Sequence, residues 1–456
     1  MISDESSANW EWVKLGEVLV DGPRNGIYKP KEFHGSGTKI VNMGELFDNP
    51  RLRSVSMKRI RLSPKEEAGF ALEAGDLLFA RRSLVAEGAG KCSIVLSVDE
   101  PTVFESSIIR VRPDRARADG RYLFYFFSSS YGKYLLDTIL RQVAVSGITG
   151  RDLVELEIPL PPMVVQTSIS EVLSAIDDSI DLSQQSNGTL EAIAHAVFKS
   201  WFIDFAPVHA KAEGKKPFGM DDKTASLFSD SFEDSELGEI PKGWQVATFD
   251  KTLSTIESGR RPKGGVGELE SGVPSIGAEN VNGLGRYDYS KEKYVSEEFY
   301  DGMKSGQVLG CDVLLYKDGA NIGRLSMARD DFPHKRCCIN EHVFILRTNE
   351  RHTQNYLYFW LDTPYMKNYV SNLNTSGAQP GLNATSLRTA PILLPLAQIL
   401  EKYDEIVTPL LRMIFSGAKS AKTLEKLRDT LLPKLLSGEI RIPMDQSRDM
   451  GKVDAQ

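Results

Sequence analysis

The sequence predicts an α+β fold: two mixed domains separated by two long α-helices packed as an antiparallel coiled coil, with an internal pseudo-twofold repeat. Three observations lead there. First, the closing run from Thr423 to Glu439 has a relative earlier in the chain, from Thr189 to Phe205, and both open on Thr-Leu-Glu. Leu190, Ile193, Ala194, Val197 and Trp201 in one copy, and Leu424, Leu427, Leu431 and Leu435 in the other, recur at helical spacing. Second, Leu424 minus Leu190 is 234 residues, and Tyr122-Leu123, Tyr131, Leu153 and Pro161 return at that offset as Tyr356-Leu357, Tyr365, Leu387 and Pro395. Near it, Gly75-Asp-Leu-Leu-Phe79 returns as Asp312-Val-Leu-Leu-Tyr316, the run Glu105 to Arg112 as Glu341 to Arg347, and Trp12 is matched with Trp244. A period this long is a duplicated domain, not a solenoid. Third, strands and helices follow one another without regular βαβ alternation, which favours α+β.

In order, residues 1–160 form the first mixed domain, with a frayed start over residues 1–9. Asp76–Ala80, Ser93–Leu96 and Ser107–Arg112 read as strands from their β-branched content and length. Tyr122–Leu140 reads as one aromatic-rich helix. Pro161-Pro162 then suits a helix start. Ile169, Val172, Leu173, Ile176 and Ile180 lead into the Leu190 stripe, so the helical region 161–205 contains a single helix over residues 165–202, roughly 55 Å long with a weak point at Gly188. A narrow stripe on a helix that long wants a partner helix. Residues 206–241, acidic and poor in apolar residues, read as a loop-like linker. The second mixed domain covers 242–395. The second helical region covers 396–440, with Ile399, Tyr403, Ile406, Leu410 and Phe415 as its first stripe and a possible break at Ser416-Gly417. Residues 441–456 read as a disordered tail.

The net charge of −7 does not suggest a uniformly basic surface. Residues 10–160 hold 22 Lys/Arg and 20 Asp/Glu, and residues 242–395 hold 18 and 17. The excess acid sits between them, with 1 basic and 6 acidic residues over 162–205, then 4 and 8 over 206–241. Near-neutral domains of this kind still accommodate basic loops. The polar, acidic N-terminus is no signal peptide, and no run is long enough to span a membrane. Four cysteines without a Cys-x-x-Cys pair read as reduced cytosolic thiols.

Catalytic motifs are missing. The sequence has no phosphate loop, no Gly-x-Gly-x-x-Gly fingerprint, no Asn-Pro-Pro-aromatic run and no zinc spacing of histidines. Glu341-His342 reads as a core or sheet-edge pair, and Cys337-Cys338 as core.

The loops carry the other signal, joining arginine, asparagine or glutamine to Gly, Ser or Pro at turns. Arginine suits guanine, and Asn or Gln suits adenine, in bidentate base recognition. The DNA-contact candidates are Arg81, Arg82, Lys91, Thr149 and Arg151 in the first half. In the second they are Arg260, Arg261, Lys263, Lys317, Asn321, Arg324, Gln379 and Asn383. Solvated turns explain any one loop equally well; matched positions in both halves favour function. The run Ser146-Gly-Ile-Thr-Gly150 lacks the glutamine of Ser376-Gly-Ala-Gln-Pro-Gly381.

The whole pattern resembles the specificity subunit of type I restriction–modification systems. Leu424 to Ile440 is similar to that family's C-terminal conserved region. Trp201-Phe-Ile-Asp-Phe-Ala-Pro-Val208 with Asp230 to Trp244 is similar to its central conserved region. Trp12 to Leu19, Gly75 to Leu78, Ser376-Gly377 and Leu382-Asn383 resemble features of its target-recognition domains. The resemblance implies a non-catalytic chain whose two target-recognition domains each read half of a bipartite double-stranded DNA sequence. It implies helices that act as a ruler and bind two modification subunits, with Trp201, Phe202, Phe205, Leu431, Leu435 and Leu436 as candidate contacts. It places S-adenosylmethionine, ATP and Mg2+ on modification and restriction subunits and no cofactor or metal here. It implies a cytoplasmic location without membrane contact. A fused methyltransferase–nuclease, an interaction scaffold without DNA contact, and the specificity part of another DNA methyltransferase system are the alternatives.

Overall fold

The computed structural model describes residues 10–83, 88–141, 146–263, 265–266, 269–350, 353–373 and 381–442. The expected frayed start, the tail from 443 and Gln379 lie outside them. The chain forms two compact units, residues 1–179 with 424–456, and residues 180–423.

In the first unit a five-stranded sheet runs in the order Arg24–Asn25, Ile108–Val111, Leu77–Ala80, Cys92–Val95, Arg51–Leu52. Its central strands are buried on both faces, their apolar runs interrupted by Ser93, which donates to Leu46 O, and Arg110, which pairs with Asp21. Beside it His34–Val41 pairs antiparallel with Lys58–Ile60 and parallel with Thr102–Phe104. The second unit repeats this plan. Leu253–Ser258, Val343–Thr348, Val313–Tyr316 and Leu325–Met327 form the main sheet, and Val273–Ile276 pairs with Tyr294–Val295 and, in parallel, Cys338–Ile339. Glu11–Lys14 pairs with Glu157–Leu160 in one unit and Gln245–Thr248 with Pro391–Leu394 in the other.

The duplication reaches single hydrogen bonds. The Tyr122 hydroxyl donates to Pro159 O at 2.8 Å and the Tyr356 hydroxyl to Leu393 O at 2.6 Å. Buried Asp76 takes two bonds from the Arg112 guanidinium, as buried Asp312 does from Arg347.

Several expectations change. Tyr122–Leu140 is two helices, Gly120–Ser128 and Ser130–Thr138, because extended Ser129 caps the second by accepting from Gly132 N. Thr363 does the same ahead of Pro364–Asn372. Trp12 pairs with Pro159 on an exposed strand face, and the residue in its register position is Val246, which pairs with Leu393. The counterpart of buried Trp244 at the 234-residue offset is therefore Trp10. Residues 206–241 are not loop-like: they hold the helices Ala206–Ala212 and Asp222–Ser226 and a hairpin of Phe232–Ser235 with Gly238–Pro241. Val208, Phe228 and Ile240 bury in the second unit's core, so a few apolar anchors outweigh the acidic composition.

The long helices span Met163–Phe202 and Ala397–Ser437 without a break at Gly188 or Ser416-Gly417. A glycine inside a helix costs about 1 kcal/mol, which packing along the rest of the helix outweighs. At Gly417 the absent side chain leaves room for the Asn187 amide, whose Oδ1 would stand 2.6 Å from a Cβ there. Within each unit the helix segments run antiparallel: Leu432 and Leu435 join Ile169 and Leu173 in one core, while Tyr403 meets Phe198 and Phe202 in the other. Ile193, Ile406 and Leu427, expected on the stripes, are exposed, because the buried rows follow the 3.5-residue period of paired helices.

Candidate nucleic-acid interface

In each unit four loops meet at one end of the main sheet. In the first unit Asn25-Gly26 lies against Phe104 and Glu105, where a Cβ on Gly26 would stand 2.2 Å from Glu105 O. Arg81 N donates to Ser107 O at 2.8 Å, and Arg81 O accepts from Ile148 N at 3.0 Å. In the second, a Cβ on Gly259 would stand 1.8 Å from Ile339 O. Lys317 N donates to His342 O at 3.0 Å, and Lys317 O accepts from Leu382 N at 2.8 Å. Both glycines are needed for close backbone approach. The rims are thus equivalent, Arg81 with Lys317 and Ile148 with Leu382, and the comparison of Ser146 with Ser376 gives way to Gly147 with Gly381.

The candidate side chains divide. Arg82, Arg151, Arg260, Lys263 and Asn321 are exposed. Others are engaged within the chain. Arg81 donates to Ser106 O at 3.3 Å. Lys91 donates to Phe47 O at 2.8 Å and sits 4.9 Å from the Phe47 ring centre, and burial pushes its ammonium below the ordinary value. Arg261 pairs with Glu341 at 2.6 Å, and Lys317 stands 5.1 Å from the Phe344 ring centre. Arg324 donates to Ala278 O at 2.7 Å and lies over the Tyr316 ring, so it braces its own loop. Thr149 and Asn383, 234 residues apart, are both helix N-caps: Thr149 Oγ1 accepts from Asp152 N at 3.2 Å, and Asn383 Oδ1 from Ser386 N at 2.7 Å.

The second rim also holds residues read as a core or sheet-edge pair. His342 Nδ1 lies 2.8 Å from Asp318 Oδ2, and Glu341 reaches both Arg261 and His342. Only their place just before a strand, equivalent to Ser106-Ser107, marks them in the sequence.

The residues expected to meet partner subunits are taken up by the chain's own cores. Trp201 packs edge-on to Phe228 at 5.3 Å, and Phe202 contacts Tyr356, Tyr403 and Trp244. Phe205 packs on Trp244 and Phe232. Leu435 is buried in the first unit, with Leu431 and Leu436 packed against that core. An apolar stripe next to its own domain buries there first.

Among the described residues no three His, Cys, Asp or Glu side chains are grouped to hold a metal ion, and no helix is long and apolar enough to cross a membrane. Burial pushes the Cys337 thiol up to about 12 and the Cys338 thiol up to about 11, so both are inert core groups.

Comparison with known proteins agrees with the duplication. The family described as the type I restriction modification DNA specificity domain matches residues 7–192 and again 241–425. The chain is 28% identical to the type I restriction enzyme MjaIX specificity subunit of Methanocaldococcus jannaschii, over 70% of this chain and 69% of that one. It is 24% identical to the HindI specificity subunit of Haemophilus influenzae, over 95% and 100%. Its fold is similar to the crystal structure of a type I restriction–modification S subunit from M. genitalium, with a TM-score of 0.57, 16% identity and coverage of 98% and 99%.

Proposed function

The chain belongs to the type I restriction–modification DNA specificity family, and from that premise we propose that it reads a bipartite double-stranded DNA target, one rim per half-site. The observation that carries this reading is the rim itself, built twice by the same backbone hydrogen bonds and furnished with different side chains. A shared frame fixes how each rim meets a groove, while Arg82 and Arg151 in one, and Arg260, Lys263 and Asn321 in the other, offer different donors to base edges and phosphates.

In this reading the chain is not an enzyme. It scaffolds two modification subunits, which carry S-adenosylmethionine, and restriction subunits, which carry ATP and Mg2+, in the cytoplasm where the DNA is. Because Trp201 and Phe202 are core residues, the partner subunits meet the exposed faces of the long helices, where Ile193, Ile406, Met413 and Leu427 stand out. Exchanging residues 10–160 for the matching domain of a relative tests the proposal by sequencing methylated sites in a host carrying the system. One half-site should change and the other stay; a change in both, or in neither, refutes two independent readers.

A further inference from the structure

The long helices carry polar residues where an antiparallel pair expects apolar ones. On the first helix one row steps by seven through Gln166, Leu173, Ile180, Asn187, Ala194 and Trp201, all buried except the half-buried Asn187, and a second passes through Ser170, Asp177 and Phe198. On the second helix a row steps through Leu400, Val407, Ile414, Ala421, Arg428 and Leu435. Asp177 is only 5% exposed. Its carboxylate accepts from Arg428 Nη1 at 2.9 Å and from the Tyr125 hydroxyl at 2.7 Å. In the other unit Asn187 sits against Gly417, where an added Cβ would stand 2.6 Å from Asn187 Oδ1 and oblige that amide to shift. In sequence, Asn187 lies ten residues after Asp177, and Gly417 eleven before Arg428.

We propose that Asp177–Arg428 and Asn187–Gly417 are register pins, the residues that select one alignment of the two helices and so the spacer between half-sites. A buried ion pair is a poor source of stability but a strong penalty on misalignment, and a lone polar core position is an established way to fix register. A slip of one heptad sets Asp177 against Ala421 or Leu435, and Arg428 against Ser170 or Gln184, so the buried carboxylate loses its 2.9 Å guanidinium partner and is left with the Tyr125 hydroxyl and, at 3.9 Å, Arg51, while Arg428 keeps Asp429 beside it. The same slip brings a residue with a side chain against Asn187. Apolar residues at these positions allow neighbouring registers at little difference in energy.

The spacer part of this inference rests on the proposed reading of DNA; the register part does not. In the full chain carrying Cys311→Ser, nitroxides at Leu182→Cys and Met413→Cys report the register by pulsed electron resonance. Both positions are exposed. The parent should give one distance. Adding Asp177→Leu, Arg428→Leu and Asn187→Ala should add a second population, displaced by about 10 Å, the length of one heptad. A single unchanged distance overturns the pins. Should the triple variant not fold, unfolding temperatures decide: Asp177→Leu/Arg428→Leu should exceed either single variant, and a double no better than the worse single overturns the pair as a pin. Methylated sites made by the variant complex give the second readout. Mixed spacers support the whole inference, whereas a shifted distance with one unchanged spacer keeps the pins and refutes the helices as the ruler.

Discussion

Tyr122 and Tyr356 close the same bond to the same strand, and Asp76–Arg112 and Asp312–Arg347 tie the same two strands together. The rims these frames support differ. Among its described residues the first rim presents Arg81 and Arg82 beside Ser106-Ser107. The second presents Arg260, Arg261, Lys317 and Asp318 beside Glu341-His342, with carboxylates interleaved among the cations. The difference teaches where the fold tolerates change. Groups that satisfy buried backbone or balance a buried charge are kept in both halves, because losing Arg112 or Arg347 would strand a buried carboxylate. Exposed groups on the rim, such as Arg82 and Arg260, carry no such buried duty.

The sharpest way to break the comparison is at the buried ion pairs. Asp76→Ala and Asp312→Ala should each destabilise their own half by about 3 kcal/mol, the cost of removing a buried, charged hydrogen-bond partner, with Glu73 and Glu257 left to hold the two guanidiniums. Hydrogen exchange read by mass spectrometry localises the loss; similar loosening in the two halves is expected, and a strongly one-sided response would end the equivalence. Next come the rims. Arg82→Ala and Arg260→Ala should each weaken specific DNA binding by about 1–3 kcal/mol if the guanidinium is bidentate to a base. A phosphate contact would instead weaken all sequences alike and flatten the salt dependence. Arg324→Ala should act differently, by loosening the loop it braces, and Arg324→Lys should not restore binding, since a lysine cannot reproduce the fork on Ala278 and Asn282. The smallest effects belong to the caps: Thr149→Ala and Asn383→Ala should each cost about 1 kcal/mol of stability. Thr149→Ser and Asn383→Asp, which keep an oxygen in place, should recover most of it in denaturant unfolding.

The sequence by itself determined the duplication, the main strands, the helix-rich segments and the family. These rest on local periodicity, and a register shift in either half would turn whole strands inside out. Tertiary structure decided what each polar or aromatic side chain is for. Whether Arg261 is free depends on Glu341, 80 positions away; whether Arg324 reads or braces depends on Ala278 and Asn282. Trp201 looks like a docking residue until Phe228, in a segment read as linker, covers it. Asp177 looks like one more acid in an acidic stretch, and it becomes a core residue because Tyr125, Arg51 and, from the far end of the chain, Arg428 gather round its carboxylate. Periodicity fixes which face of an element is apolar, whereas desolvation and pairing, the larger energies for a charge, are set by neighbours that only folding brings together.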